Sequence, residues 1–186
     1  ENCLEQASLV WQDTQAAAEQ FYDRTSACSF TTFVGYEWSG QPGGNNLHRN
    51  VIFRNEKTVD LPISFMEQPT PQGLWTQLHA QCLDTGTGCD VLAIPHNSNL
   101  SNGAMFVPEN ADHSPLTAAT AADRAAMEPL VEVMQHKGDS ECRVGVLTND
   151  ELCGFEKWSG VRIGIPPQPD QVFAPSLFVR NVLKEG

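Results

Sequence analysis

The stretch that most limits how this chain can fold is Val91 to Ile94, an apolar run with Pro95 and His96 directly after it. Its length and β-branched content suit a buried strand better than a helix. Pro95 has no N–H to give to a ladder, so the strand should end there. His96 is thereby placed where a buried strand leaves its sheet. In parallel α/β sheets that end is where ligands and metals are held. The polar turn Asn97-Ser98-Asn99 follows.

Two other stretches repeat the pattern. Phe30 to Tyr36 reads as a strand that delivers Glu37, and Leu130 to Gln135 as a strand that carries Glu132 and delivers His136. Three strands that each end in a metal-type side chain suggest convergence on one site.

The rest of the chain alternates helices and strands. Residues 4–24 predict a helix whose inner face is Val10, Ala17, Ala18 and Phe21. His48 to Arg54 predicts a strand, Gly73 to Cys82 a helix with Leu74, Leu78 and Cys82 inward, Thr117 to Met127 a short helix, and Pro175 to Lys184 a last one. Residues 55–71, 97–113 and 154–170 predict long loops; the last holds Pro166, Pro167 and Pro169. This order implies an α/β fold with a mostly parallel sheet, flanking helices and long loops. At 186 residues, the expectation is one domain over 1–186.

The totals narrow the function classes. A net charge of −12 argues against a nucleic-acid groove. No apolar run approaches the roughly 20 residues of a bilayer-crossing helix. The chain opens Glu1-Asn2-Cys3, with no initiator Met and no signal-like region, so the expectation is a removed signal or an excised piece. Six cysteines on an acidic chain, none in a Cys-x-x-Cys pair, point to disulfides in an exported protein, periplasmic or secreted. Of 15 possible connectivities, nearest-neighbour pairing is expected: Cys3–Cys28, Cys82–Cys89 and Cys142–Cys153. The alternative leaves Cys28, Cys82 and Cys89 as free, buried, small apolar residues.

Several side chains fit chemical roles. A carboxylate such as Glu37 can bridge two divalent ions, since each oxygen takes one. His48 and His96 are candidate nitrogen ligands for zinc, manganese or iron. His136 suits a metal or a phosphate oxygen, with Lys137 beside it. Arg49 and Arg54 flank a strand and could clamp a phosphate. Asn97 and Asn99 could orient the His96 imidazole. Asn99-Leu100-Ser101 fits a glycosylation acceptor triplet, a pattern too short and common to carry weight. A Gly-x-Ser-x-Gly elbow, a P-loop, a His-Glu-x-x-His motif and an EF-hand loop are all missing, which disfavours a serine hydrolase, a P-loop enzyme and a zincin.

Taken together, Cys28 to Gly40, Asn46 to Arg54, Leu92 to Asn99 and Glu132 to Gly138 resemble a bacterial family of unknown function placed in the PHP (polymerase and histidinol phosphatase) superfamily. The resemblance implies a distorted β/α barrel and a metal-dependent phosphoesterase. It implies that Glu37 is a bridging carboxylate and His96 a ligand, both at the catalytic centre, with Glu132 and His136 on the next strand as further ligands. His48 belongs to the family's own signature; His48, Arg49 and Lys137 would meet the substrate. The superfamily's opening His-x-His and closing Asp-x-His motifs are not in this stretch, so the resemblance implies the middle piece of a larger barrel, inactive alone. The substrate would be a small phosphorylated or other ester. The alternative is a non-catalytic, exported, disulfide-stabilised binding domain.

Overall fold

In the computed structural model, residues 2–157 and 170–185 are described. The expected loop around Pro166, Pro167 and Pro169 lies outside them. In chain order the elements are α1 (Cys3–Phe21), β1 (Val34–Trp38), β2 (Arg49–Phe53), α2 (Pro71–Gln81), β3 (Val91–Pro95), α3 (Ala118–Met127), β4 (Met134–Gln135), β5 (Gly138–Asp139) and α4 (Val179–Glu185).

The sheet is the main correction to the expected fold. β1, β2 and β3 form one three-stranded sheet in that order, and both pairings are antiparallel. A separate hairpin joins β4 to β5, also antiparallel. Neither a parallel sheet nor a barrel occurs among the described residues. The reason lies in β3, where Leu92 and Ile94 face the less buried side yet are apolar. That makes a half-buried antiparallel strand read like the continuous apolar run of a parallel one. β2 keeps the alternation openly: Val51 and Phe53 are buried while Asn50 and Ile52 are half-buried.

The core lies against one face of this sheet. Val34, Trp38, Val51, Phe53 and Val91 meet Trp11 from α1 and Leu74, Trp75 and Leu78 from α2. Trp11 sits edge-on to Tyr36, with ring centroids 5.8 Å apart, and donates its indole N–H to the Val59 carbonyl at 3.0 Å. The helix therefore turns Ser8, Trp11, Gln15, Ala18 and Tyr22 inward, at spacings of three and four. The expected face was one step out of phase: Val10 is 66% and Phe21 62% exposed. α2 starts where its residues dictate. Thr70 accepts the Gly73 N–H at 3.0 Å, and Pro71 takes a first-turn position whose missing N–H costs nothing.

Cys82–Cys89 joins the end of α2 to the start of β3, and Cys142–Cys153 closes the loop after β5. The expected Cys3–Cys28 bond does not form; both thiols are free and exposed. Cys3 opens the 19-residue α1, and Cys28 lies past its far end. At about 1.5 Å of rise per residue the helix holds them well beyond bonding reach.

The expected strand Leu130 to Gln135 is also corrected. Residues 128–133 carry no regular structure, and only Met134 and Gln135 pair, in the short hairpin. The segment instead lies against the end of β3 through a single backbone bond, Glu132 N–H to Pro95 carbonyl at 3.0 Å. Phe30 to Phe33 likewise precede β1 rather than forming it, so Glu37 sits inside its strand. The loop after β3, expected to be a wet polar turn, is buried from Asn97 through Ser101.

Candidate metal centre

Register decides which side chains meet. Glu37 pairs with Asn50, and Asn50 with Ile94. Residues directly opposite in an antiparallel sheet share a face, and so does every second residue along each strand. His48 is two residues before Asn50 and His96 two after Ile94, so Glu37, His48 and His96 fall on one face, opposite the core. The His96 N–H donates to the His48 carbonyl at 3.3 Å, which carries the ladder one step past β3 and holds the two histidines abreast.

The three side chains converge. His48 Nδ1 lies 2.7 Å from Glu37 Oε1, and His96 Nε2 lies 3.9 Å from the same oxygen. The two imidazole rings meet edge to face with centroids 4.8 Å apart. One ligand atom from each residue falls within a 4.8 Å span, the one such grouping among the described residues. Ligand atoms about 2.1 Å from a shared tetrahedral ion sit about 3.4 Å apart. The triad brackets that spacing: the His48 contact must open slightly and the His96 contact must close. Two imidazoles and one carboxylate are also the protein donor set of several catalytic zinc sites, with a coordination position left open. The residues present fit a divalent ion.

The two imidazoles have different hydrogen-bond partners. His96 Nδ1 is 3.0 Å from the Asn97 carbonyl, which can only accept. The proton is therefore on Nδ1, and the Nε2 lone pair faces Glu37. Burial lowers the His48 pKa below the ordinary histidine value, the neighbouring His96 and Lys137 push the same way, and Glu37 opposes them. Because a carboxylate can only accept, neutral His48 donates its Nδ1 proton to Glu37, and an ion bound through Nδ1 would displace that proton.

Other expected site residues lie elsewhere. Glu132 does not join the cluster: its Oε2 accepts the Asn97 backbone N–H at 2.7 Å. His136 is exposed in the turn between β4 and β5. Arg49 points into the core, 1% exposed, where its Nε donates to Glu128 Oε1 at 2.8 Å and its Nη1 to the Leu47 carbonyl. It cannot clamp a substrate, because it pairs opposite Trp38 on the buried face. Arg54 is exposed and spends its charge on Asp90 at 3.0 Å. The Asn97 and Asn99 side chains do not touch the imidazole. Asn97 Nδ2 donates to the Val133 and Gly138 carbonyls at 2.7 and 3.1 Å, and Asn99 Nδ2 to the Lys137 carbonyl at 3.2 Å. What reaches His96 is the Asn97 backbone, a contact that residue type does not announce. Lys137 forms no ion pair among the described residues and stands close enough to His48 to disfavour its protonation.

A groove of about 410 Å³ lies between α3, residues 129–131 and α4, lined by Phe106, Leu116, Leu130, Val182 and Leu183 among others. It shares no residue with the histidine cluster.

The fold is a small antiparallel α+β arrangement with a His₂Glu cluster on the open side of its sheet. The chain belongs to the family described as "Protein of unknown function (DUF3604)", which matches residues 1–186. No curated protein and no solved structure matches it. The expected membership of the PHP superfamily is overturned: the family that matches is DUF3604, over residues 1–186, with no support for PHP. The expected middle piece of a barrel is equally without support, since the described sheets are small and antiparallel.

Proposed function

We propose that this chain is an exported metal-dependent hydrolase in which Glu37, His48 and His96 hold the ion and a small phosphorylated or otherwise anionic ester is cleaved. The observation that carries the reading is the convergence of two neutral-capable imidazoles and a carboxylate on one sheet face. When bound there, a divalent zinc, manganese or iron ion supplies Lewis acidity, polarising an ester oxygen and making water a competent nucleophile at neutral pH. The protein's own contribution is positional. The β2–β3 ladder fixes the spacing of the two histidines, the Asn97 carbonyl holds the His96 proton on Nδ1, and Glu37 accepts from the His48 ring while the His96 Nε2 lone pair stands 3.9 Å from the same oxygen. Lys137, which forms no ion pair among the described residues, lies near enough to His48 to offer its ammonium to an anionic group. Two disulfides, and the lack among the described residues of a helix long and apolar enough to cross a membrane, support a periplasmic or secreted location.

The test is metal analysis of the purified chain and of Glu37→Ala, His48→Ala and His96→Ala, with turnover of p-nitrophenyl phosphate under added Zn²⁺, Mn²⁺ or Fe²⁺. The expected result is one retained ion and ion-dependent turnover, both lost in each variant. A wild-type chain that retains no transition ion and hydrolyses no ester overturns the reading. Retained iron without hydrolysis also overturns it, because two histidines and a carboxylate equally serve iron enzymes that use oxygen. A second reading, a non-catalytic exported binding domain, is favoured by the apolar groove set apart from the cluster. It predicts that Glu37→Ala and His96→Ala leave metal content and function unchanged.

A further inference from the structure

Around His96 the chain is held more tightly than a ligand at the end of an edge strand requires. The two backbone groups that flank it are both bonded to one residue of another segment. The Pro95 carbonyl accepts the Glu132 N–H at 3.0 Å, and the Asn97 N–H donates to Glu132 Oε2 at 2.7 Å. Asn97, fully buried, is fixed a second time through its side chain. Its Nδ2 reaches the Val133 and Gly138 carbonyls, and its Oδ1 accepts from the Asn99 N–H at 2.9 Å and from the Ser140 hydroxyl. A residue bonded through its N–H and both side-chain ends cannot rotate its peptide freely. Its carbonyl is the group that takes the His96 Nδ1 proton.

We infer that Glu132 is a positioning residue for His96: it clamps the peptides on either side of the histidine and so sets which imidazole nitrogen faces Glu37. This rests on the reading of the cluster as a metal centre. It departs from any role for Glu132 as a ligand, because Glu132 is not among the converging ligand atoms and its Oε2 accepts a backbone N–H instead. One residue gives its N–H to the peptide before the histidine and an acceptor oxygen to the peptide after it, which suits a clamp more than a passing contact. Groups that orient ligating histidines in this way typically matter about 10–100-fold in metal affinity.

The clamp needs an oxygen acceptor at the right reach and does not need the negative charge. Glu132→Gln keeps the reach and an acceptor oxygen. Glu132→Asp keeps the charge and falls one methylene short. The experiment uses the full chain with Co²⁺ as the probe, titrated by its visible absorption, together with long-range ¹H–¹⁵N correlation of the His96 ring in the metal-free protein. Cobalt affinity should stay within about 3-fold of wild type in Glu132→Gln and weaken about 10–100-fold in Glu132→Asp. The ring should show the Nδ1–H tautomer in wild type and Glu132→Gln, and a tautomer mixture in Glu132→Asp. The opposite order, with Asp tolerated and Gln not, would establish a direct charge or ligand role and overturn the inference. So would wild-type tautomer and affinity in both variants. If wild type takes up no cobalt, the metal reading of the cluster fails, and the tautomer measurement still decides the part played by Glu132.

Discussion

The two faces of the three-stranded sheet are cut from the same fifteen residues and do opposite work. One parity, with Val34, Trp38, Val51, Phe53 and Ala93, is buried against α1 and α2. The other carries Glu37 and, one step past the strands, His48 and His96. A strand has a side-chain period of two, so shifting its pairing by one residue would exchange the faces. Stability and the candidate site are therefore coupled through register but separate in energy. The core face should pay for folding when altered, and the open face should not.

The contrast can be broken most sharply at Phe53, which is fully buried. Phe53→Ala should cost about 3–5 kcal/mol in urea or thermal unfolding, since it deletes an aromatic from the centre of the core. Glu37→Ala, on the other face of the neighbouring strand, should change stability by less than about 0.5 kcal/mol. Equal losses would mean that the faces are not distinct. Next comes the bond that fixes the start of β3. Replacing Cys82 and Cys89 by alanine should cost about 2–4 kcal/mol, read from the same unfolding curves in the absence of reductant.

The smallest expected effect sharpens the comparison by pH. The His48 pKa is depressed in the fold, so the unfolded chain takes up its proton first as the solution is acidified. The stability owed to neutral His48 is fully present above about pH 6.5 and is lost as the pH falls through the lower folded value. His48→Gln should flatten the fall in unfolding free energy between pH 7.5 and 5.5. An unchanged slope would remove His48 as its source.

How much of this was legible follows from how local each signal is. The end of β3 was readable because Pro95 acts on its own backbone, whereas α2, expected from Gly73 to Cys82, starts two residues earlier at Pro71 behind the Thr70 cap. Cys82–Cys89 and Cys142–Cys153 were readable because short loops bring such pairs together anyway, at separations of 7 and 11. Cys3 and Cys28 also looked close in sequence, but a helix lay between them. Strand direction was not legible. Ile94 and Leu92 gave β3 the look of a doubly buried strand, and pairing is a long-range property. The phase of α1 was lost because Trp11 alone decides it, while Val10 and Phe21 advertise a neighbouring stripe. At the site, Glu37 and His96 could be singled out by residue type. Glu132 was noticed for the wrong reason, since nothing in a glutamate tells whether its oxygen meets an ion or a peptide N–H. Arg49 was misplaced because an arginine edging a strand is usually wet, and here its parity sends it inward to Glu128.

The burial of Asn99 has a practical result for anyone producing this protein. Asn99 is 6% exposed and its side chain is tied to the Lys137 carbonyl, yet it heads an Asn-Leu-Ser triplet. A eukaryotic secretory host adds its oligosaccharide to such triplets as the chain emerges, before this region closes. A sugar placed there would occupy the space where the β4–β5 hairpin docks, so a bacterial periplasmic host, or an Asn99-sparing Ser101→Ala substitution, is the better route to folded material.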